Sequence, residues 1–359
     1  MLLLRAVAAL LIVWHHFALY PPLSSWAEPL VGEALAWLQQ YARSTQIFFV
    51  IGGYVMARSL QHHRWSLRGL RAFVIGRYWR LGLPYLAVVL LTIPLLDLAQ
   101  GWVPDEVLGQ PVSLPQLLAH LFFLQGLLGY EQISAGLWFV CINFQLSLLY
   151  ALLLWLRDTL GQRRRDIPGL AGWGLSLLSL FHFNLDPGWD NHFIYFFPYF
   201  FLGVLIHRRL KGTGPAAALE FPLFLLVLGL ALTVEWRWRL GMAAAVAVLL
   251  LWAEGRGWTH LPWRLPTLQR LGEISYSLFL VHFPVLIGVA TLWSWLDWSI
   301  AETAVLGLGT AFMASLAAAE LFHRWVENPA AHAGRRRKKA HQPQAETQPT
   351  AQSAYSGVN

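Results

Sequence analysis

Two kinds of ionisable residue stand where an apolar stretch should exclude them. Residues 4–21 read LRAVAALLIVWHHFALYP, almost wholly apolar, with Arg5 near one end and His15 and His16 toward the other. Ionisable groups in a run long enough to enter a bilayer are costly, and they mark lined cavities or reaction paths. Arg5 and His16 are eleven residues apart, roughly 16 Å along a helix at about 1.5 Å per residue. Eleven residues is close to three turns, so both can point into one interior groove. Imidazole is the side chain best suited to take a proton from a hydroxyl near neutral pH. In an acyl transfer it would deprotonate an acceptor so that the oxygen attacks a thioester carbonyl. His15 is the adjacent candidate, about 100° round the helix, so one of the two is expected to face the site. A plainer reading stands beside this one: Arg5 as an anchor at the membrane face, and one histidine as a hydrogen-bonded packing residue.

Further polar residues recur at informative spacings. Arg77 and Arg80 in IGRYWRLGLP share one helix face, so two guanidiniums could clamp one phosphate. A nucleotide-bearing donor such as coenzyme A presents phosphates of that kind; positive-inside anchoring explains the same pair without chemistry. The segment QIFFVIGGYVMAR, 46–58, has two adjacent glycines that let a neighbouring backbone, or an acyl-pantetheine arm, come close. GLWFVCINFQLSLLY, 136–150, brings Trp138, Asn143 and Gln145 into an apolar run, as path lining or as helix–helix glue. LGEISYSLFLVHFP, 271–284, gathers Ser275, Tyr276, Ser277 and His282, with Pro284 as a kink. LFHRWVENP, 321–329, holds Arg324 and Glu327 at the spacing of an i,i+3 ion pair. No metal-ligand set is visible: the thirteen histidines are scattered. A P-loop and a Gly-x-Ser-x-Gly elbow are also missing from the sequence.

The elements that must hold these residues are membrane spans. The 359 residues are 57% hydrophobic and 13% charged, with mean hydropathy +0.48; a soluble domain is nearer a quarter charged. Nineteen tryptophans suit a chain with long membrane interfaces. Cys141 is the only cysteine, which rules out an internal disulfide and a thiolate cluster. The first span lacks a basic leader and a small-x-small cleavage site, so it reads as a retained helix rather than a signal peptide. About ten apolar runs lie near 4–20, 44–60, 80–97, 135–156, 167–183, 193–207, 219–235, 238–253, 274–294 and 300–323.

Loop charge alternates along these runs. Segment 58–80 has six arginines and no acid; segment 97–134 has four acids and no Lys or Arg. Arg157 and Arg163–Arg165, then Arg208, Arg209 and Lys211, then Arg335–Lys339 continue the basic side, and Asp186 and Asp190 the acidic side. The positive-inside rule then places both termini in the cytoplasm, and it explains the net charge of +7 without nucleic acid. EWRWR, 235–239, breaks the pattern: an outer turn with two arginines. The piece 114–128 is apolar but short, an interfacial or re-entrant helix over the outer mouth. The expected architecture is all-α: one polytopic bundle over 1–330, followed by a basic tail, 331–359, with too little apolar surface to pack.

The order Arg5…His16, FFVIGGYV, Arg77-Tyr-Trp-Arg80, Leu137-Trp138-Phe139…Gln145, ISYSLFLVHFPV and RWVENPA resembles the membrane-bound acyltransferase-3 family. The resemblance runs from residue 4 to about 330. It implies some ten transmembrane helices. It also implies transfer of an acyl group, commonly acetyl from acetyl-CoA, to a hydroxyl of an envelope or exported saccharide at the inner (plasma) membrane. On that resemblance the Arg-x10-His motif falls on Arg5 and His16, singles out His16 over His15 as the general base, and ties Arg5 to catalysis as well. Arg77 and Arg80 handle the CoA donor, and no metal is required. Many members carry Glu-x-x-Phe in the fourth block; here the stretch is Cys141-Ile142-Asn143-Phe144-Gln145, with no carboxylate. His15, Trp138, Asn143, Gln145, Tyr276 and His282 remain as further lining. The reading from another class is a transporter or flippase for a saccharide or lipid-linked saccharide, in which these polar groups bind a passing solute. A scaffold role explains the hydrophobicity but not the ordered motifs.

Overall fold

A computed structural model of the chain describes residues 1–161, 166–212, 214–258 and 265–340, without the side chains of 216 and 336–340. Arg163, Arg164 and Arg165, and residues 341–359 of the expected tail, lie outside the described residues. Helices account for the regular structure, and no strand occurs among the described residues. In order they are α1 (Leu2–Leu19), α2 (Leu23–Tyr41), α3 (Thr45–Leu60), α4 (Leu67–Ala99) and α5 (Asp105–Leu108). There follow α6 (Leu114–Leu121), α7 (Leu137–Thr159), α8 (Ile167–Phe181), α9 (Phe193–Lys211) and α10 (Pro215–Val234). The last five are α11 (Trp238–Gly255), α12 (Pro266–Glu273), α13 (Ser275–Trp295), α14 (Ala301–Phe322) and α15 (Asn328–Ala340).

All ten apolar runs fall on helices. Among the described residues, eight helices are long and apolar enough to cross a membrane: α1, α4, α7, α9, α10, α11, α13 and the α14–α15 rod. The other two runs became α3, with 16 residues, and α8, with 15, both shorter than the roughly 17–25 residues a span needs. Leu90, Leu226, Leu230, Leu306 and Met313 are exposed, an apolar belt that suits lipid rather than water. The chain is thus a multi-pass membrane protein. Local caps start its helices where the sequence supplies them: Ser66 accepts from Gly69 N at 3.1 Å, and Asp166 from Gly169 N at 3.1 Å.

Glycine sets a close backbone contact in the bundle. A Cβ on Gly53 would stand 1.8 Å from Phe200 O, and one on Gly203 would stand 2.0 Å from Val50 O. The backbones of α3 and α9 therefore touch, the small-residue packing expected between apolar helices. Of the two readings of the glycine pair, Gly53 takes tight helix packing. Gly52 instead faces Asn143 Oδ1.

Segment 114–136, which includes the short apolar piece 114–128, folds in against α4 and α7. Ser113 and Gln116 form a capping box on α6. The chain then sinks until Leu121 O accepts from Tyr78 Oη at 3.0 Å. Phe123 is buried and packs on Tyr78, Tyr85 and Phe144. Non-helical backbone at that depth must be satisfied by protein. Cys141 Sγ and Gln145 Nε2 both donate to Phe123 O, each at 2.8 Å.

Two elements depart from expectation. α2 lies in a stretch that shows no spanning run, because its polar residues dilute the pattern; it packs on α1 and α14. α15 carries helix to Ala340, into the stretch expected to begin an unpacked tail. It docks on α4, where a Cβ on Gly334 would meet Gly76 O at 2.7 Å. Replacing Gly203 by Val should cost about 1–3 kcal/mol or more through overpacking, lowering the melting temperature of the detergent-solubilised protein. Gly229→Ala, with nothing within 4 Å of the added carbon, should leave it unchanged.

Candidate active site

α1 connects two differently charged poles. At its start Gly272 of α12 packs on Leu2 O, and Arg5 is within electrostatic reach of Arg80. At its end, His15 and His16 line a cavity of about 570 Å³. Asp105, Glu106 and Glu131 of the long acidic loop line this cavity too, as do Asp190, Arg43 and Arg239. Trp138 and Tyr20 add aromatic faces.

Both histidines reach the cavity, where one was expected. The reason is that α1 ends at Leu19, so the cavity wraps its last turn on more than one side. Both rings are buried, yet their partners differ. His15 Nδ1 donates to Leu38 O of α2 at 3.1 Å. His16 Nδ1 stands 2.6 Å from His282 Nε2, with the two rings nearly parallel at 5°. His282, on α13, is wholly buried and has its Nδ1 3.2 Å from Leu278 O.

That chain of contacts assigns the protons. A carbonyl oxygen can only accept, so His282 Nδ1 carries hydrogen. The neutral ring then offers Nε2 as an acceptor, and His16 Nδ1–H donates to it. Neutral His16 is left with Nε2 as its lone-pair nitrogen, the form a general base needs.

The other predicted residues gather elsewhere. None of Arg5, Arg77 and Arg80 lines the His16 cavity. They lie toward the other pole, where Arg5 is within electrostatic reach of Arg80 and Glu327. Arg77 is likewise within reach of Arg80 and Tyr276. Arg5 and Arg77 are half-buried, and Arg77 Nε is buried without a partner. Tyr276 Oη donates to Leu81 O at 2.8 Å. Asn143 and Gln145 stay inside the bundle, where Asn143 Oδ1, Gln145 Oε1 and both amide atoms of Gln46 are buried without a partner.

The ion pair expected between Arg324 and Glu327 does not form. A π-turn at His323–Glu327 re-aims the carboxylate. Glu327 Oε2 instead accepts from Ser277 Oγ at 2.6 Å and from His323 Nδ1 at 2.8 Å. Arg324 turns back to Glu320 at 2.5 Å. Sequence reasoning also missed Arg43, Asp190 and Gln132 at the cavity. Asp190 left a trace as a loop acid, and Arg239 as half of the misplaced charge in EWRWR.

With this geometry in place, the family comparison is decisive: the model of an acyltransferase domain, acyltransferase-3, matches residues 2–322. The chain belongs to the acyltransferase-3 family. No curated protein and no solved structure matches it. Acyl transfer is accordingly the general activity of this acyltransferase, and the match runs through both poles. Removing the Glu327 carboxylate should strand the Ser277 and His323 donors at a cost of roughly 1–3 kcal/mol. Glu327→Ala is expected to melt well below wild type, and Glu327→Gln, which retains an acceptor, between the two.

Proposed function

We propose that this acyltransferase moves an acyl group, acetyl in the first instance, from acyl-CoA to a hydroxyl of an envelope or exported saccharide, with His16 as general base. The observation that carries the reading is His16, which lines an open cavity and is held from behind by His282, about three turns of helix from Arg5 and the group of unpaired arginines around it.

Acetyl-CoA approaches the arginine pole, which is the cytoplasmic side of the inner (plasma) membrane if basic loops face inward. Both termini then lie on that side. Arg77 and Arg80, with Arg5, take the phosphates. The pantetheine arm carries amides, and the unpartnered amides of Gln46 and Asn143 are groups it can bond on its way toward His16. The saccharide enters the opposite cavity, beneath the acidic loop and beside Trp138 and Tyr20. His16 Nε2 takes the proton of the acceptor hydroxyl as its oxygen attacks the thioester carbonyl. The tetrahedral intermediate collapses, the C–S bond breaks, and the thiolate leaves with the proton the imidazolium returns. The anionic CoA never crosses the bilayer.

His282 fills the part that a family glutamate would play. It orients His16 and fixes its tautomer with a neutral ring, so no carboxylate is needed in the stretch Cys141–Gln145. That stretch is already committed to holding Phe123 O.

The purified protein given labelled acetyl-CoA and envelope glycan should label the glycan. An intact donor would favour the transporter reading instead. His16→Ala should lower transfer by about 10²–10⁴-fold while the protein still inserts, and His282→Phe should lower it by about a hundredfold through the wrong tautomer. Full activity in His16→Ala would remove the base from the mechanism. Replacing Arg77 and Arg80 by Gln should raise the KM for acetyl-CoA about tenfold or more, with the acceptor KM unchanged; unaltered donor affinity would reduce the pair to a topology signal.

A further inference from the structure

A second cavity, of about 400 Å³, adjoins the first and shares Arg43 and Arg239 with it. Its other lining includes Arg237, Asn184, Tyr195 and Tyr199, and no carboxylate. The two cavities therefore differ in charge. Four acids line the His16 cavity; three arginines and no acid line its neighbour.

The three arginines are not equivalent. Arg237 is spent on structure: Nη1 donates to Leu180 O at 3.1 Å and Asn184 Oδ1 at 2.7 Å, and Nη2 to Ala231 O at 3.0 Å. It ties the turn before α11 to the ends of α8 and α10, and so places Arg239. Arg43 is set by its neighbours: Ala42 and Ser44 are buried, and Ser44 Oγ donates to Ala8 O of α1 at 2.7 Å. Among the described residues, neither Arg43 nor Arg239 makes an ion pair or a side-chain hydrogen bond. Desolvation and the neighbouring Arg239 push the Arg43 guanidinium down from its ordinary value, with Asp190 opposing. Two like charges held near each other, with Asp190 within electrostatic reach but no carboxylate in contact with either, fit an anion from outside the protein. This also accounts for EWRWR: one arginine pins the turn and the other faces the cavity.

We infer that Arg43 and Arg239 form an oxyanion subsite, and that the saccharide acceptor carries a carboxylate or phosphate which docks there while a hydroxyl of the same molecule lies at His16. The inference rests on the proposed acyl transfer for the second half of its statement. The anion subsite itself does not depend on it.

The test uses the full-length protein in phosphatidylcholine nanodiscs and calorimetric titration with methyl glucoside, methyl glucuronide and glucose 1-phosphate. The two anionic sugars should bind about tenfold or more tightly than the neutral one, an advantage that shrinks with added salt. Arg43→Gln/Arg239→Gln should abolish the advantage, Arg43→Lys/Arg239→Lys should keep part of it, and CoA affinity should be unchanged in both. Equal affinities for charged and neutral sugars in the wild type, a result that needs no variant, would overturn the subsite. So would a preference that survives the double Gln exchange. Repeating the titration in phosphatidylglycerol nanodiscs separates the sources: if the anionic lipid displaces the sugars, the subsite takes a lipid phosphate and the saccharide assignment falls. Transfer of labelled acetyl is read in parallel. An intact anion preference with no transfer would remove the proposed reaction and leave the subsite; transfer without the preference would do the reverse.

Discussion

A hydrogen bond between two neutral imidazoles, buried where neither ring can be charged cheaply, constrains this structure more than any other contact. His16 Nδ1 and His282 Nε2 stand 2.6 Å apart, and protonating both rings would place two like charges together in an apolar bundle. The pair works only as donor and acceptor, and a single backbone carbonyl, Leu278 O, decides which ring is which. The contact joins α1 to α13, so whatever fixes those helices fixes the tautomer. Gly272 does so at the far end, where a Cβ would come within 2.4 Å of Leu2 O. Arg270 adds to it by joining Glu320 of α14 at 2.7 Å, which holds α12 against the helix that packs along α13.

The same economy explains how an irregular segment can lie deep between spans. Residues 122–136 expose backbone groups that lipid could not satisfy. They are met by side chains that look, in sequence, like stray polar residues in apolar runs. Gln116 Nε2 donates to Glu131 O at 3.0 Å. His120 bonds Gln116 O through Nδ1 and receives Ile133 N. Gln125 Nε2 reaches Tyr85 Oη at 2.9 Å. The segment brings Glu131 and Gln132 to the cavity at one end and touches Tyr78, next to Arg77, at the other. It thus runs from the region of the arginines to the region of the histidines.

Much of this was legible in the chain. Apolar runs locate spans because a bilayer forces backbone groups to pair internally, and all ten runs are helical. Loop charge, read through the positive-inside rule, separated the two poles. Motif order identified the family. Partnership was not legible. Nothing in the spacing of His16 and His282, which are 266 residues apart, says that their rings hydrogen-bond, and nothing says that Gln145 turns to the Phe123 carbonyl instead of a cavity. The expected Arg324–Glu327 pair failed for a local reason, because a π-turn shifts side-chain register in a way that i,i+3 counting assumes away. Helix α2 was missed because its glutamates and glutamines lower its hydropathy although it packs as closely as a span.

Arginine chemistry shows why partnership matters more than count. Seven arginines of the described residues are half-buried: Arg5, Arg77, Arg157, Arg208, Arg237, Arg239 and Arg270. Four are spent within the protein. Arg157 pairs with Asp158, Arg208 with Asp166 and Glu220, Arg270 with Glu273 and Glu320, and Arg237 binds carbonyls and Asn184. The remaining three, Arg5, Arg77 and Arg239, have no such partner. A partly desolvated guanidinium without an acceptor is unfavourable; among the described residues two of these three stand on the side of the proposed donor and one at the cavity proposed for the acceptor, beside the more exposed Arg43. Exposed arginines such as Arg68 and Arg209 are hydrated and can serve orientation alone. A topology signal needs nothing but charge near the membrane face. The unpaired, half-buried ones ask for an anion, and they stand at the two poles that α1 connects.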